Sequence, residues 1–533
     1  MINNQRDITQ YVNSGITLRD VQTEYLHWVQ ENIDNYDVFV AQKAVASGKS
    51  ICATAMARWL NAIDRGNVAL ITPTKILQDQ YTNEFDWIPV LKGMSEYPCL
   101  CNPGKSCRDY KRNMGACCTT ENIEEMTGES GTCGYLKARA VAADAVIALF
   151  NFHSYSFCQM FKSNLIIDEG HNAIGFLYGL FEANLWKCEV EYPDDLEITP
   201  VAIAEWMPVL IHKLDEEKKN AILNKNDNLA EKLENQIDRY EKLRIALKVD
   251  AANMIVKKKR DTYKGSQRKL KGTEQEYIFI KPLKIDKIGP YLLWPKEKVR
   301  KIFFLSATIN AMDMEILGLH NKRIGYFEGE SPIPAERRRI IFHPLANMSY
   351  RNRNESIPVI IDGIIHLANK RPDEKGLIHC TYATAMQLRN KLSGDPRFLF
   401  HTKFNKQEVY ERFKASKQPK ILVASGMSEG IDLPHDAARW QILTQIMWPH
   451  LSDEVNVWRL QNAPHLYHND TVRQVEQGSG RVCRAPTDKG DTYIFDQQFW
   501  RLWKLTHTDR IQRGEQTMWS KTFQDALVWP KER

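Results

Sequence analysis

The stretch Ala46-Ser47-Gly48-Lys49-Ser50 restricts this chain more than any other feature. It follows a short apolar run (residues 38–41) and precedes a helix-like segment (residues 51–60). A strand, a glycine-bearing loop and a helix start turn backbone N–H groups toward a bound polyanion. A second stretch completes the chemistry: Leu165-Ile166-Ile167-Asp168-Glu169-Gly170-His171. Its apolar half suits a strand buried on both faces, and two carboxylates and a histidine stand at its tip. Together the two supply what a nucleoside triphosphate needs. Lys49 serves the β- and γ-phosphates, the Ser50 hydroxyl and Asp168 serve Mg²⁺, and Glu169 orients the attacking water.

Further apolar runs at 68–74, 376–381, 421–425 and 492–496 end in polar turns. Strands alternating with helical stretches predict parallel, doubly wound sheets, so the fold class is α/β. Ligands of such sheets bind beyond the carboxyl ends of the strands, where Lys49, Thr74 and Asp168 all fall. Two residues depart from the usual phosphate loop. Lys43 stands where Gly or Ala is common, and Ala46 stands where a further Gly is common. Alanine resists backbone angles that glycine allows, which predicts a reshaped loop or slow turnover.

Of 11 cysteines, six lie between Cys99 and Cys133: Cys99, Cys101, Cys107, Cys117, Cys118 and Cys133. No secretory signal or membrane-length apolar run is visible, so the expected location is the cytoplasm, or a host cell's cytoplasm for a phage-borne chain. Thiols stay reduced there, and clustered thiolates then argue for zinc or an iron–sulfur centre rather than disulfides. The absence of paired C-x₂-C units tilts toward the cluster. Net charge is +6, which permits a polyanionic partner without identifying one.

These residues, with others, resemble the XPD/DinG branch of superfamily 2 iron–sulfur DNA helicases. Residues 91–99 are similar to the entry into that family's iron–sulfur domain, and Cys133-Gly134-Tyr135 to its exit. Ala143-Asp144 and Asn151-Phe152-His153 resemble the stretch before its Asp-Glu-Ala-His box, here Asp168-Glu169-Gly170-His171 with Gly170 replacing Ala. Arg19-Asp20-Val21-Gln22 resembles the adenine-side motif, and Leu305-Ser306-Ala307-Thr308 resembles motif III. Ser428-Glu429-Gly430-Ile431-Asp432 resembles motif V, with Ser428 in place of Trp, and residues 477–484 resemble motif VI.

The resemblance implies two RecA-like motor domains with an iron–sulfur insertion and a helical arch in the first. The expected segments are motor domain 1 (1–90, 138–195 and 286–330), the iron–sulfur domain (91–137), the arch (196–285) and motor domain 2 (331–533). It implies ATP, Mg²⁺ and a [4Fe–4S] cluster, and 5′-to-3′ movement on single-stranded or forked DNA by a monomer. The implied ligands are Cys99, Cys107 and Cys133 with Cys117 or Cys118, of which Cys118 is preferred; Cys101 is a spare. Arg19, Gln22, Ala46, Ser47, Gly48, Lys49 and Ser50 would hold nucleotide, with Glu429 and Asp432 linking it to the DNA surface. Gln477, Arg481 and Arg484 would reach the γ-phosphate from the second domain. Ser306 and Thr308 would couple to His171. The alternative, motivated by Lys43 and Ala46, is a single-strand-binding protein that keeps this fold with weak catalysis.

Residues 201–256 carry leucines and isoleucines at amphipathic spacing, which predicts two packed helices. The basic run Lys257-Lys258-Lys259-Arg260, continued at Lys264, Arg268, Lys269 and Lys271, reads as a surface loop or as a phosphate track. Of the chain's tryptophans, those in the second half (Trp440, Trp448, Trp458, Trp500, Trp503) read mostly as core or domain-contact residues.

Overall fold

The apolar runs become strands because each must bury both faces. In the computed structural model, residues 6–43, 47–100, 104, 106–107, 133–224, 226–263, 271–427, 431 and 433–530 are described. The first half contains β1 (Val38–Gln42), β2 (Val68–Thr72), β3 (Val90–Leu91), β4 (Ile147–Asn151) and β5 (Asn164–Asp168). An inserted unit adds β6 (Ala183–Trp186), β7 (Met254–Thr262) and β8 (Glu274–Pro282). The chain then returns through β9 (Lys301–Ser306) and β10 (Ile324–Glu328). The first sheet has the order β10-β1-β9-β5-β2-β4-β3, and its pairings are parallel. Central β2 and β5 are buried at every position, while edge strand β10 alternates.

Helices α1 (Asp20–Asn32) and α2 (Lys49–Ala62) cover one face of this sheet, through Tyr25, Leu26, Trp59 and Leu60. At the strand tips, α3 (Lys75–Glu84) is capped by Thr74, whose hydroxyl accepts the Leu77 N–H. The other face carries α4 (Gly134–Asp144), α5 (Phe152–Cys158) and α6 (Asn172–Phe181). Each fully buried aliphatic or aromatic side chain in these layers contributes about 1.5–3 kcal/mol.

The predicted pair of insertion helices is present as α7 (Pro200–Leu223) and α8 (Asp227–Val249). Leu210, Leu214, Leu233, Leu243 and Leu247 are buried between them and the first domain, whereas Ile222 and Leu229 at the far end are exposed. The basic run corrects an expectation. Residues 257–260 form no loop but belong to β7, which pairs antiparallel with β8, itself antiparallel to β6. The two-residue period explains this. Lys257 and Lys259 share one face and both pair with Glu454, while Lys258 and Arg260 share the other and reach Glu276. The Lys259 ammonium also lies 4.0 Å from the Phe279 ring centre, so its stem covers apolar surface. Lys264, Arg268 and Lys269 lie outside the described residues.

After β9 comes the short helix α9 (Ala311–Ile316). The second sheet is built from β11 (Ile340–Ala346), β12 (Gly376–Cys380), β13 (Phe398–Phe400), β14 (Ile421–Ser425), β15 (Trp440–Leu443), β16 (Asp491–Asp496) and β17 (Leu527–Val528). Its order is β13-β14-β12-β15-β16-β11-β17, with parallel pairings. Helices α10 (Arg353–Lys370), α11 (Tyr382–Leu392), α12 (Lys406–Ala415), α13 (Glu454–Asn462) and α14 (Pro464–Ser479) surround it. Trp440 is fully buried in this domain and Trp503 nearly so, and Trp448 packs against the core cluster that includes Trp503, stacked on Tyr467. Trp458 instead packs against the first domain's core, and Trp500 is half-exposed beside Trp529. The chain therefore has two RecA-like doubly wound domains, the first carrying a helical and antiparallel-sheet insertion.

Candidate active site

Gly48 closes the phosphate loop at the start of α2 with φ +71°, a left-handed conformation natural to glycine. A Cβ there would stand 2.1 Å from Gln22 Nε2, so the close approach also requires glycine. Gln22 is buried and folds back on its own helix start: the Arg19 N–H donates to its Oε1 at 2.9 Å, and its Nε2 lies 3.4 Å from the Gly48 carbonyl. Arg19 and Gln22 are thereby seated on the loop. Ser47 is buried beside them, while Ala46 lies outside the described residues.

Lys43 is fully buried and turns away from the loop. Its ammonium donates to the Val21 carbonyl at 3.2 Å and sits 4.4 Å from the Tyr25 ring centre and 3.7 Å from Cys52 Sγ. Burial holds its pKa below the ordinary lysine value. The residue that looked out of place in the phosphate loop is a core lysine satisfied by helix α1.

Lys49 Nζ lies 3.0 Å from Glu169 Oε1. Glu169 adopts φ +49°, unusual for a residue with a side chain, and this turns the carboxylate back toward the loop. Burial opposes its charge, but the Lys49 ammonium outweighs that and holds its pKa below the usual range. Asp168 at the tip of β5 is buried. Burial and then neighbouring Glu169 push its carboxyl up to about 6, although Tyr81 donates its hydroxyl to Oδ2 at 2.9 Å and the Glu169 N–H donates to Oδ1 at 2.9 Å. Ser50 hydrogen-bonds Glu84 of α3. Through Tyr81 and Glu84, α3 thus touches both Asp168 and Ser50, whose oxygens are of the type a hard divalent cation takes. Tyr81 and Glu84 escaped the sequence reading; their only signal is the i, i+3 spacing that puts them on one face of α3.

His171 contacts Ser306 through Nδ1···Oγ at 2.7 Å, and its Nε2 lies 3.1 Å from Asn172 Nδ2. The amide can only donate, so Nε2 accepts and Nδ1–H donates to Ser306. Burial lowers the His171 pKa to about 4, which keeps this ring neutral. Thr308 joins by its backbone N–H, 3.2 Å from Ser306 Oγ. Gly170 explains its own departure from the box: a Cβ would lie 2.8 Å from Phe304 Cδ1 on β9.

From the second domain, Arg481 and Arg484 follow α14, and Gln477 lies in its last turn. Arg481 is close enough to depress His171 electrostatically, and Arg484 to support the Glu169 charge. Arg484 is positioned by Asp488, whose Oδ2 accepts its N–H at 3.0 Å. Glu429 and Asp432 lie outside the described residues. A buried polar chain joins the domains at the same place. Asp313 of α9 pairs with Arg473 of α14 and accepts from Asn469 at 3.2 Å, and Asn310 donates to Asn469 Oδ1 at 2.7 Å. Arg473 also pairs with Asp470, which pairs with Arg459, and Arg459 lies over the Tyr178 ring.

Cys101, Cys117 and Cys118 lie outside the described residues. Of the described members, Cys107 and Cys133 bring their sulfurs to 3.9 Å, and Tyr97 and Tyr135 stack edge-on beside them. Among the described residues no group of three or more candidate metal ligands occurs.

Two parallel-sheet lobes with a phosphate loop, an acidic box and facing arginines define the class of two-domain, nucleotide-dependent helicase folds. Residues 365–507 match the helicase C-terminal domain family. By fold the chain is similar to an XPD helicase structure at 14% identity and TM-score 0.60, covering 97% of this chain and 100% of that one. It is also similar to an XPD apo structure (13%, TM-score 0.55, 91% and 98%) and to Xpd4 of S. tokodaii (13%, TM-score 0.53, 96% and 100%). No curated protein sequence matches the chain. The likeness to these XPD structures is one of fold. No helix among the described residues is long and apolar enough to cross a membrane.

Proposed function

We propose that this chain is an ATP-driven DNA helicase that moves along single strands, 5′ to 3′, and separates forked duplexes. The observation that carries the reading is the convergence of Lys49, Asp168, Glu169 and the His171–Ser306 pair at strand tips that Arg481 and Arg484 face from the other lobe. The Lys49 ammonium neutralises Glu169 across 3.0 Å. A γ-phosphate would draw Lys49 away and free the Glu169 carboxylate to orient water. Ser50 and Asp168 would hold Mg²⁺, whose chemistry there would be charge stabilisation of the phosphates. The guanidinium groups would complete the phosphate shell only with ATP bound, so hydrolysis would loosen the grip between lobes. The buried Asp313–Arg473 chain and the His171–Ser306 bond would pass that change between motifs.

The segment boundaries given above, with the helical insertion as an arch, are part of the same proposal. The shared inorganic centre rests on the six clustered cysteines, and the family resemblance favours [4Fe–4S] over zinc. Such a centre would pin a segment too small to hold a core. Iron and acid-labile sulfide in near-equal amounts in anaerobically purified protein are expected; zinc without sulfide would refute the cluster.

The activity is tested by DNA-stimulated phosphate release and by unwinding of forks carrying only a 5′ or only a 3′ tail. Wild type should act on the 5′-tailed fork. Lys49→Ala and Asp168→Ala should lose turnover, and Arg484→Ala should lose about 10³-fold or more in kcat. Wild-type turnover no faster than Lys49→Ala would overturn the proposal in favour of a binding protein.

A further inference from the structure

The three most exposed aromatic side chains among the described residues are Tyr350, Phe404 and Tyr382, at 88%, 87% and 68%. They do not scatter over the molecule. Each leaves the carboxyl end of a strand of the second sheet: Tyr350 after β11, Tyr382 after β12 and Phe404 after β13. The strands are parallel, so these ends share one rim. From β13 to β11 in the sheet order, that rim extends about 24 Å at ~4.8 Å per strand.

Cations accompany the rings. Lys403 Nζ lies 4.8 Å from the Phe404 ring centre, and the Arg353 guanidinium lies 5.7 Å from that of Tyr350. The turn that presents Phe404 is well fastened. The Thr402 N–H and hydroxyl both donate to Asn405 Oδ1, at 2.7 and 2.9 Å, and the Phe404 N–H donates to Thr402 Oγ1 at 3.3 Å. Its flanks are tied to the end of β14. The Ser425 N–H donates to His401 Nε2 at 3.2 Å, and Lys406 donates to the Gly426 carbonyl at 2.9 Å. A phenyl ring held out into water on a hydrogen-bonded turn contributes nothing to the core.

Exposed rings interleaved with lysine and arginine are the chemistry that takes unpaired nucleobases and their phosphates. A duplex hides its base faces in the stack and fits such a row poorly. We infer that this rim grips an unpaired strand by its bases, with Phe404 the principal stacking residue and Lys403 its phosphate partner. The inference rests on the proposed function and names the residues that would hold the track.

The experiment measures binding of the full-length chain, without nucleotide, to a fluorescent oligothymidine and to an abasic sugar–phosphate strand of equal length. Phe404→Ala should weaken oligothymidine binding about 5- to 150-fold, the range expected for one lost stack. It should leave abasic binding unchanged, and Phe404→Trp should retain wild-type affinity on both. Lys403→Ala should weaken both strands and lower the salt dependence by about one phosphate contact. Equal loss on both strands with Phe404→Ala, or no loss on either, would overturn the inference while leaving the helicase reading intact. If wild type bound neither strand, the helicase reading itself would fall and take the inference with it.

Discussion

Gly170 shows how a single atom constrains the acidic box. Adding one methyl group places it 2.8 Å from the Phe304 ring edge, in a core with no slack. Gly170→Ala should therefore cost about 1–3 kcal/mol, read as a lowered Tm, and Phe304→Leu should recover part of it. Lys43 makes the opposite case. Its ammonium is spent on a backbone carbonyl and an aromatic face, so Lys43→Met should fold and hydrolyse ATP at near wild-type rates while Lys49→Met should not. Glu476 supplies a pH dependence. Burial pushes its carboxyl up to about 7, and the Ser520 N–H and hydroxyl both donate to Oε1, at 2.8 and 2.7 Å. Its folded pKa exceeds its unfolded value, so its stabilising share is full below pH ~4.5 and is lost as pH rises through ~7. Urea titrations from pH 5 to 8 should show a steeper fall in stability for wild type than for Glu476→Gln. From sequence, the meeting of Lys49 with Glu169 and of His171 with Ser306 was legible, because phosphate chemistry restricts the residue types and spacing of such motifs. The way Lys43 turns was not legible, because spacing assigns a position without telling where a long side chain points.

At the level of elements, the parallel strands could be read from unbroken apolar runs, since burial on both faces leaves no other composition. The β7 ribbon could not. Four consecutive cations hide a two-residue period, and only the partners Glu454 and Glu276 reveal it. Helices α9 and α14 were equally opaque, because the Asp313–Arg473 pair joins residues 160 positions apart in sequence. Asp313 is wholly buried, so Asp313→Asn would leave the buried Arg473 charge with Asp470 alone and should cost about 3–5 kcal/mol. Asp313→Leu with Arg473→Met should recover most of that stability. If the pair also carries the signal between lobes, the double variant should melt like wild type yet lose stimulation of ATP turnover by single strands. Measuring both quantities on the same preparations separates packing from coupling.

Across the whole molecule, the inserted sheet meets the second domain at one helix start. Lys257 and Lys259 contact Glu454 at 2.5 and 2.7 Å, and Lys281 contacts Asp453 at 2.7 Å. These contacts are partly solvated, unlike the Asp313–Arg473 pair. Salt screens charges that water can reach and spares those it cannot. Raising ionic strength should thus undo the outer fastening first and leave the inner one, with the apolar packing of Trp458, Ala463 and Leu466 on the first domain's core, as the pivot. Small-angle scattering should then record a wider spread of shapes at high salt, with no change in Tm large enough to signal melting. A motor whose stiffness depends on the ions around it would take longer or shorter strides with its surroundings, before any regulator touched it.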